Sequence, residues 1–265
     1  SIRKTEDLLA GKDMVQKLHR HDFFFLLAIK NGSGLHEIDF TRYKFADNSI
    51  FLLRPGQVHQ LDLKAGSTGY LIEFNSGFYH PTNKKSALRL RKASGKNFCQ
   101  PDNKRFERLY ALLTYIFQEY TDKQEGYREV IKSNLEIFFI EFVRQSQQTG
   151  NPSDTVTPYT QERLEEFLEL LQANINTHKQ VSQYTTLMNL SPYQLNEITK
   201  ATIGKTSSAI INEHIILEAK RHLLATSSQV KDIADQLGYE DVSYFIRFFK
   251  KQTGYSPDAF RHKFS

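Results

Sequence analysis

With 265 residues, 39% of them hydrophobic and 12% aromatic, the chain is long enough for two domains with separate cores. Its single cysteine, Cys99, excludes an intramolecular disulfide and fits a reducing compartment. The longest apolar run, residues 23–29, is too short to cross a bilayer and no export signal is visible, so a cytoplasmic protein without a membrane partner is expected; a net charge of +5 raises nucleic acid as a partner.

Residues 1–80 contain short segments rich in β-branched and aromatic residues, at 23–29, 35–40, 49–53 and 70–74. Turn signals separate them, notably Asn31-Gly32-Ser33-Gly34 and Pro55-Gly56. This predicts a small antiparallel sandwich or barrel. An aromatic-lined mouth with a few polar groups suits a small molecule, and the candidate contacts are His21, His36, His59 and Glu73, with Phe25 and Tyr70 as walls. The basic stretch from Lys84 to Lys104 reads as a solvated loop.

Helical spacing follows at 104–121, through Phe106, Leu109, Tyr110, Leu113, Ile116, Phe117 and Tyr120, and at 127–146, through Val130, Ile131, Leu135, Phe138, Phe142 and Val143. Together they predict a hairpin whose wide aromatic face serves the preceding domain and a second copy of the chain. Residues 147–159, rich in Ser, Thr, Asn and Pro, read as a linker. The expected organisation is a domain over 1–146, a linker over 147–159 and a second domain over 160–265.

That second domain carries one pattern twice. Short helices at 181–188 and 231–237 each lead through a tight turn to a capping residue, Ser191 or Asp241, fifty positions apart. A helix of about a dozen residues follows each cap and ends at Gly204 or Gly254. This is the geometry of two helix-turn-helix units, in which the second helix enters a DNA major groove. A helix over 207–225 joins them. Base-reading candidates are Tyr193, Gln194, Asn196 and Glu197 in the first unit, and Val242, Ser243, Ile246 and Arg247 in the second. Acids and bases balance across residues 160–265, so attraction to phosphate must be local. Its candidates are Lys200, Lys205, Lys220, Arg221, Arg247, Lys250, Lys251, Arg261 and Lys263.

Ile233-Ala234, Leu237-Gly238-Tyr239-Glu240-Asp241, Ser243-Tyr244-Phe245, Arg247-Phe248-Phe249-Lys250-Lys251, Gly254 and Ser256-Pro257 closely resemble the signature of the AraC/XylS family of bacterial transcription regulators. The resemblance spans residues 160–265 and implies two helix-turn-helix units bridged by a long helix. Two positions depart from the family pattern: Tyr184 stands where a small residue is usual, and Ile215 where the linker helix often carries a basic one. Upstream, His19-Arg20-His21, Gly32, Gly34 and Arg54-Pro55-Gly56-Gln57-Val58-His59 are similar to a degenerate cupin pattern, as in the sensor domains of many AraC-like regulators. The implied fold class is α+β: a cupin-like β-barrel, a helical hairpin, then an all-α domain. The resemblance also implies a homodimer on double-stranded DNA, a small-molecule effector with carbohydrate as a common class, and RNA polymerase as a partner if the protein activates.

His19, His21 and His59 form the kind of cluster a metal cupin uses, but the carboxylate such enzymes add is missing. Residues 23–29 are apolar, and Asp22, next to His21, is expected on the opposite strand face. Neither a metal nor a cofactor is expected. Phosphate-loop, nucleophile-elbow and zinc-spacing motifs do not occur, so catalysis has no sequence support. The expected function is a sequence-specific DNA-binding regulator, acting as an activator and sensing a small molecule through its first domain. The alternatives are a metal-dependent cupin enzyme with a helical appendage, and an effector-independent regulator.

Overall fold

A computed structural model describes residues 1–146 and 158–264. It divides into two compact units, Ser1–Asn151 and Pro152–Ser265. Most of the expected linker, residues 147–157, lies outside the described residues.

The first unit holds two antiparallel sheets. One contains β1 (Ile2–Lys4), β3 (Phe24–Asn31), β6 (Ser49–Leu53), β8 (Thr68–Phe74) and β9 (Phe98–Cys99), in the order β1-β8-β3-β6-β9. The other contains β2 (Met14–Arg20), β4 (Gly34–Ile38), β5 (Thr41–Phe45) and β7 (Val58–Leu63), in the order β2-β7-β4-β5. The two sheets share no strand among the described residues, so the domain is a two-sheet sandwich and not the closed barrel that was expected. A short helix, α1 (Thr5–Leu9), follows β1. The segment predicted over 35–40 ends at Ile38, because Asp39 and Phe40 take φ values of 46° and 68° and turn the chain into β5.

The apolar runs of β3 and β6 do not alternate because both faces of their sheet are covered. Phe25, Leu27, Ile29, Phe51 and Leu53 pack with Ile38, Phe45, Leu61 and Leu63 inside the sandwich. Leu26, Ala28, Ile50, Leu52, Tyr70 and Ile72 belong to a second core with α3 (Asn103–Asp122) and α4 (Tyr127–Ser146). These helices are the predicted hairpin. Phe106, Phe138, Phe139 and Phe142 are buried within the single chain, whereas Tyr115 of α3 and Ile137 of α4 stay exposed.

The basic stretch after β8 is not a loop. Residues Lys84–Ser94 form α2, capped by the Asn83 side chain, which accepts from the Ser86 amide at 2.9 Å. Its buried face is Ser86, Leu90, Ala93 and Ser94. Small residues carry most of that face, which hides the helical period among the charges. Glu136 of α4 anchors it by accepting from Ser86 Oγ at 2.9 Å, from Arg89 and from the Tyr79 hydroxyl.

The second unit is all helical: α5 (Pro158–Asn174), α6 (Val181–Met188), α7 (Pro192–Ile203), α8 (Ser207–Ala225), α9 (Val230–Gln236), α10 (Val242–Thr253) and α11 (Pro257–Phe264). Both predicted caps form. Ser191 Oγ accepts from the Gln194 amide at 3.1 Å while Gln194 Oε1 accepts from the Ser191 amide at 2.8 Å, and Asp241 accepts from the Ser243 amide at 2.7 Å. Gly204 and Gly254 close α7 and α10 in the left-handed conformation. One core collects Phe167, Tyr184, Leu195, Ile215, Phe245 and Phe249. Tyr184 is accommodated by an edge-on contact with Phe167, ring centres 5.5 Å apart, and donates to the His178 carbonyl at 2.7 Å. Ile215 lies in this core rather than on a DNA-facing surface.

Candidate nucleic-acid interface and ligand site

Helices α7 and α10 present matching exposed faces. On α7 these are Tyr193, Gln194, Glu197, Lys200 and Ala201; each has an exposed counterpart fifty positions on, at Ser243, Tyr244, Arg247, Lys250 and Lys251. The opposite faces bury Leu195, Ile198 and Thr199 on α7, and Phe245 and Phe249 on α10. Caps and core therefore fix two scaffolds of one design with different chemistry outward. Glu197 stands where Arg247 stands, an acceptor in place of a forked donor. Arg247 lies 3.7 Å from Asp241, and both side chains are more than 60% exposed, so the pair is a weak tether.

The predicted base readers divide. Tyr193, Glu197, Ser243 and Arg247 are exposed. Gln194 is exposed too, but its oxygen is engaged in the cap. Asn196 is half-buried and accepts from the Ser207 amide at 3.3 Å, while Val242 and Ile246 pack against the core. Tyr244, 55% exposed, is absent from the predicted set. The fifty-residue offset that pairs it with Gln194 was the available signal.

The cations divide as well. Lys200, Lys250 and Lys251 are exposed. Lys205 pairs with Glu213 at 2.7 Å, and Lys263 donates to the Tyr255 hydroxyl at 2.5 Å. Lys220 lies 5.4 Å from the centre of the Phe260 ring, and burial lowers its pKa. Arg221 is buried against Glu218. Arg261 donates to backbone carbonyls, from Nε to Leu223 at 2.9 Å and from Nη2 to Ser228 at 2.5 Å. Arg221 and Arg261 hold the fold.

In the first unit, four of the six predicted effector contacts come together. His36 Nε2 lies 2.9 Å from His59 Nδ1, and His59 Nε2 lies 3.0 Å from His21 Nε2. Phe25 packs beside all three rings, with centres 5.0 to 6.0 Å away. Register explains the meeting: β7 sits between β2 and β4, with His59 opposite His19 on one side and Ile38 on the other. Burial pushes the pKa of His36 down to about 3 and that of His59 to about 2, with neighbouring histidines adding to both; burial also lowers His21. The rings are therefore neutral near pH 7. His19, which sequence reasoning placed only in a metal cluster, joins them: its ring centre is 4.4 Å from that of His59. One ring nitrogen from each of His19, His21 and His59 lies within 4.8 Å of the others.

Tyr70 and Glu73 lie apart from this group. Tyr70 packs on the helical side of the sheet, against Tyr110 and Phe117 at 5.1 and 5.3 Å. Glu73 is opposite Phe25 in register, but its carboxylate accepts from Ser1 Oγ at 2.6 Å and from Arg3 at 2.9 Å. It also borders a cleft of about 430 Å³ with Phe78, Tyr120, Tyr127 and Arg128.

Residues 12–138 match the AraC-like ligand binding domain, and residues 184–263 match the helix-turn-helix domain. The chain belongs to the AraC family of transcriptional regulators. This AraC-family regulator therefore combines a ligand-binding domain with a helix-turn-helix DNA-binding domain. It is 22% identical over 250 residues to an uncharacterized HTH-type transcriptional regulator of Bacillus subtilis, YfiF, with 92% of this chain and 78% of that one covered. It is also 22% identical over 248 residues to the HTH-type transcriptional activator RhaR of Escherichia coli K12, with 92% and 86% covered. A crystal structure of ToxT from Vibrio cholerae aligns over 99% of this chain and 97% of that one, at 15% identity and a TM-score of 0.44. Among the described residues of this AraC-family protein, no helix is long and apolar enough to cross a membrane.

Proposed function

We propose that this regulator reads two adjacent DNA segments with α7 and α10 and changes its operator affinity when the first unit takes up a small effector. The observation that carries the reading is the pair of exposed helix faces in fifty-residue register, rigidly capped and differently substituted. Tyr193 and Glu197 read one segment and Ser243, Tyr244 and Arg247 the other, while Lys200, Lys250 and Lys251 hold phosphates. The effector binds where His21, Phe25, His36 and His59 converge, and its preference for one state of the protein supplies a coupling of about 1 to 3 kcal/mol. The protein works by binding rather than catalysis, in the cytoplasm where its DNA lies. Similarity to proteins named transcriptional activators supports activation, with RNA polymerase as the eventual contact.

Operator sites selected from random duplexes provide the test. Arg247→Ala is expected to cost about 1 to 3 kcal/mol and relax preference at one base pair. Unchanged affinity for every operator variant would remove Arg247 from the interface.

A further inference from the structure

We propose that His19, His21 and His59 form a binding site for a divalent transition-metal ion of the zinc class, at the end of the sandwich where β2 and β7 pair. The proposal rests on the reading of this end as a ligand site and names the ligand.

The backbone brings the three rings together. His19 and His59 are opposite each other in the β2–β7 ladder, beyond an irregularity between Gln16 and His19 that breaks the regular register. His21 follows the end of β2 and reaches the same point, with its Nε2 3.0 Å from that of His59. Nitrogens bound tetrahedrally to zinc at about 2.0 to 2.1 Å lie roughly 3.3 Å apart. The His21–His59 pair already has that spacing within a few tenths of an ångström. The third nitrogen, from the partly exposed His19, lies within 4.8 Å of the other two and would have to draw closer to complete the set.

The hydrogen bonds at the far side of each ring leave the near side free to coordinate. His19 Nδ1 is 2.8 Å from the Lys17 carbonyl, and His21 Nδ1 is 3.1 Å from the Phe23 carbonyl. Carbonyl oxygens only accept, so both Nδ1 atoms carry hydrogen and Nε2 is the nitrogen left in each ring to coordinate. A metal-ligating histidine is oriented in this way, by its other N–H. His59 has His36 in the same supporting role, 2.9 Å from its Nδ1. Without metal, one hydrogen on His59 Nε2 bridges to His21. With metal, the ion takes that place, the His59 hydrogen moves to Nδ1 to donate to His36, and the His36 hydrogen moves to its own Nδ1. Each ring keeps one hydrogen, so capture releases no proton. Imidazole suits zinc, nickel and copper, and a three-imidazole set needs no carboxylate.

The test is titration of the metal-free full-length chain with Co²⁺, followed by its optical spectrum, and displacement by Zn²⁺. One equivalent is expected, with a nitrogen-ligand spectrum lost on adding Zn²⁺. His19→Ala and His21→Ala should each weaken Co²⁺ binding by about 100-fold or more, and His178→Ala, in the second unit, should leave it unchanged. Because buried His59 also packs against Phe25, the two partly exposed histidines carry the decision if His59→Ala does not fold. A wild-type chain that binds neither ion, or a His19→Ala/His21→Ala double variant that binds as wild type does, overturns the site. Operator affinity with and without Zn²⁺ is a separate readout: stoichiometric binding with unchanged operator affinity keeps the site and rejects the metal as effector.

Discussion

Arg261 on α11 donates from Nη2 to the carbonyl of Ser228 at 2.5 Å, tying the end of the chain to the loop before α9. Its Nε reaches the Leu223 carbonyl at 2.9 Å, so one guanidinium bridges the end of α8 and the start of the second helix-turn-helix unit. Hydrogen bonds from charged donors contribute about 1.5 to 3 kcal/mol. Arg261→Ala should therefore lower the unfolding free energy by that order, read as a lower midpoint in a urea titration of the full chain, and Arg261→Lys should recover only part, lacking the fork. An unchanged midpoint with a shallower salt dependence of DNA binding would mean that Arg261 is a phosphate contact after all.

Gly238 bears a different constraint, in the turn between α9 and α10. Its φ is 71°, and a Cβ built there would lie 1.8 Å from the Asn176 carbonyl oxygen. Gly254 has a similar φ of 82° with open space around it. For Gly254→Ala only the left-handed penalty applies, about 1 to 2 kcal/mol. Gly238→Ala adds a backbone clash to the same penalty and should destabilise by clearly more in a denaturant titration. Equal losses for the two variants would show that the α5–α6 loop moves aside freely.

Much of the second unit was legible because its signals are local. Ser191, Gln194, Gly204, Asp241 and Gly254 act on their own helix termini, and their geometry follows from residue type and spacing. Arg221 and Arg261 were misread as phosphate contacts for the opposite reason: their partners, Glu218 aside, are backbone groups or neighbours that only the folded chain supplies. In the first unit the strands of continuous apolar character were visible. Tyr70 was placed on the wrong side because a sheet buried on both faces gives no alternation to fix register. The convergence of His21, His36 and His59 was legible as a set of residue types; the order of their hydrogen bonds depends on strand pairing across the sheet.

Cys99 offers a check on the first unit's packing. Burial among the residues of the helical core pushes its thiol up to about 12. The reactive form is the thiolate, so a thiol reagent near pH 8 should label the native chain far more slowly than the urea-unfolded chain. The sign for stability follows. As pH rises past the ordinary thiol range, near 8.5, the unfolded chain releases this proton while the folded chain keeps it, so stability falls with pH there. Cys99→Ala should remove that part of the decline. Native labelling as fast as unfolded labelling would show that the β6–β9 edge opens readily.

The division of the lysines predicts how DNA binding responds to salt. Each phosphate neutralised releases condensed counterions, and losing one contact lowers the slope of log affinity against log salt by about 1. Lys250 and Lys251 are exposed in the last turn of α10, where the helix carries Arg247 toward the same side by one-turn spacing. Lys205 is exposed as well, but both oxygens of Glu213 hold its ammonium group, at 2.7 and 2.8 Å. Partnered in this way, it brings little net positive charge to a phosphate. Lys250→Ala and Lys251→Ala should each reduce the slope by about one while leaving the preferred operator sequence unchanged; Lys205→Ala should leave both unchanged. If Lys205→Ala lowers the slope as much as Lys250→Ala does, the ion pair opens on DNA and the first helix-turn-helix unit contacts more of the backbone than α7 alone provides.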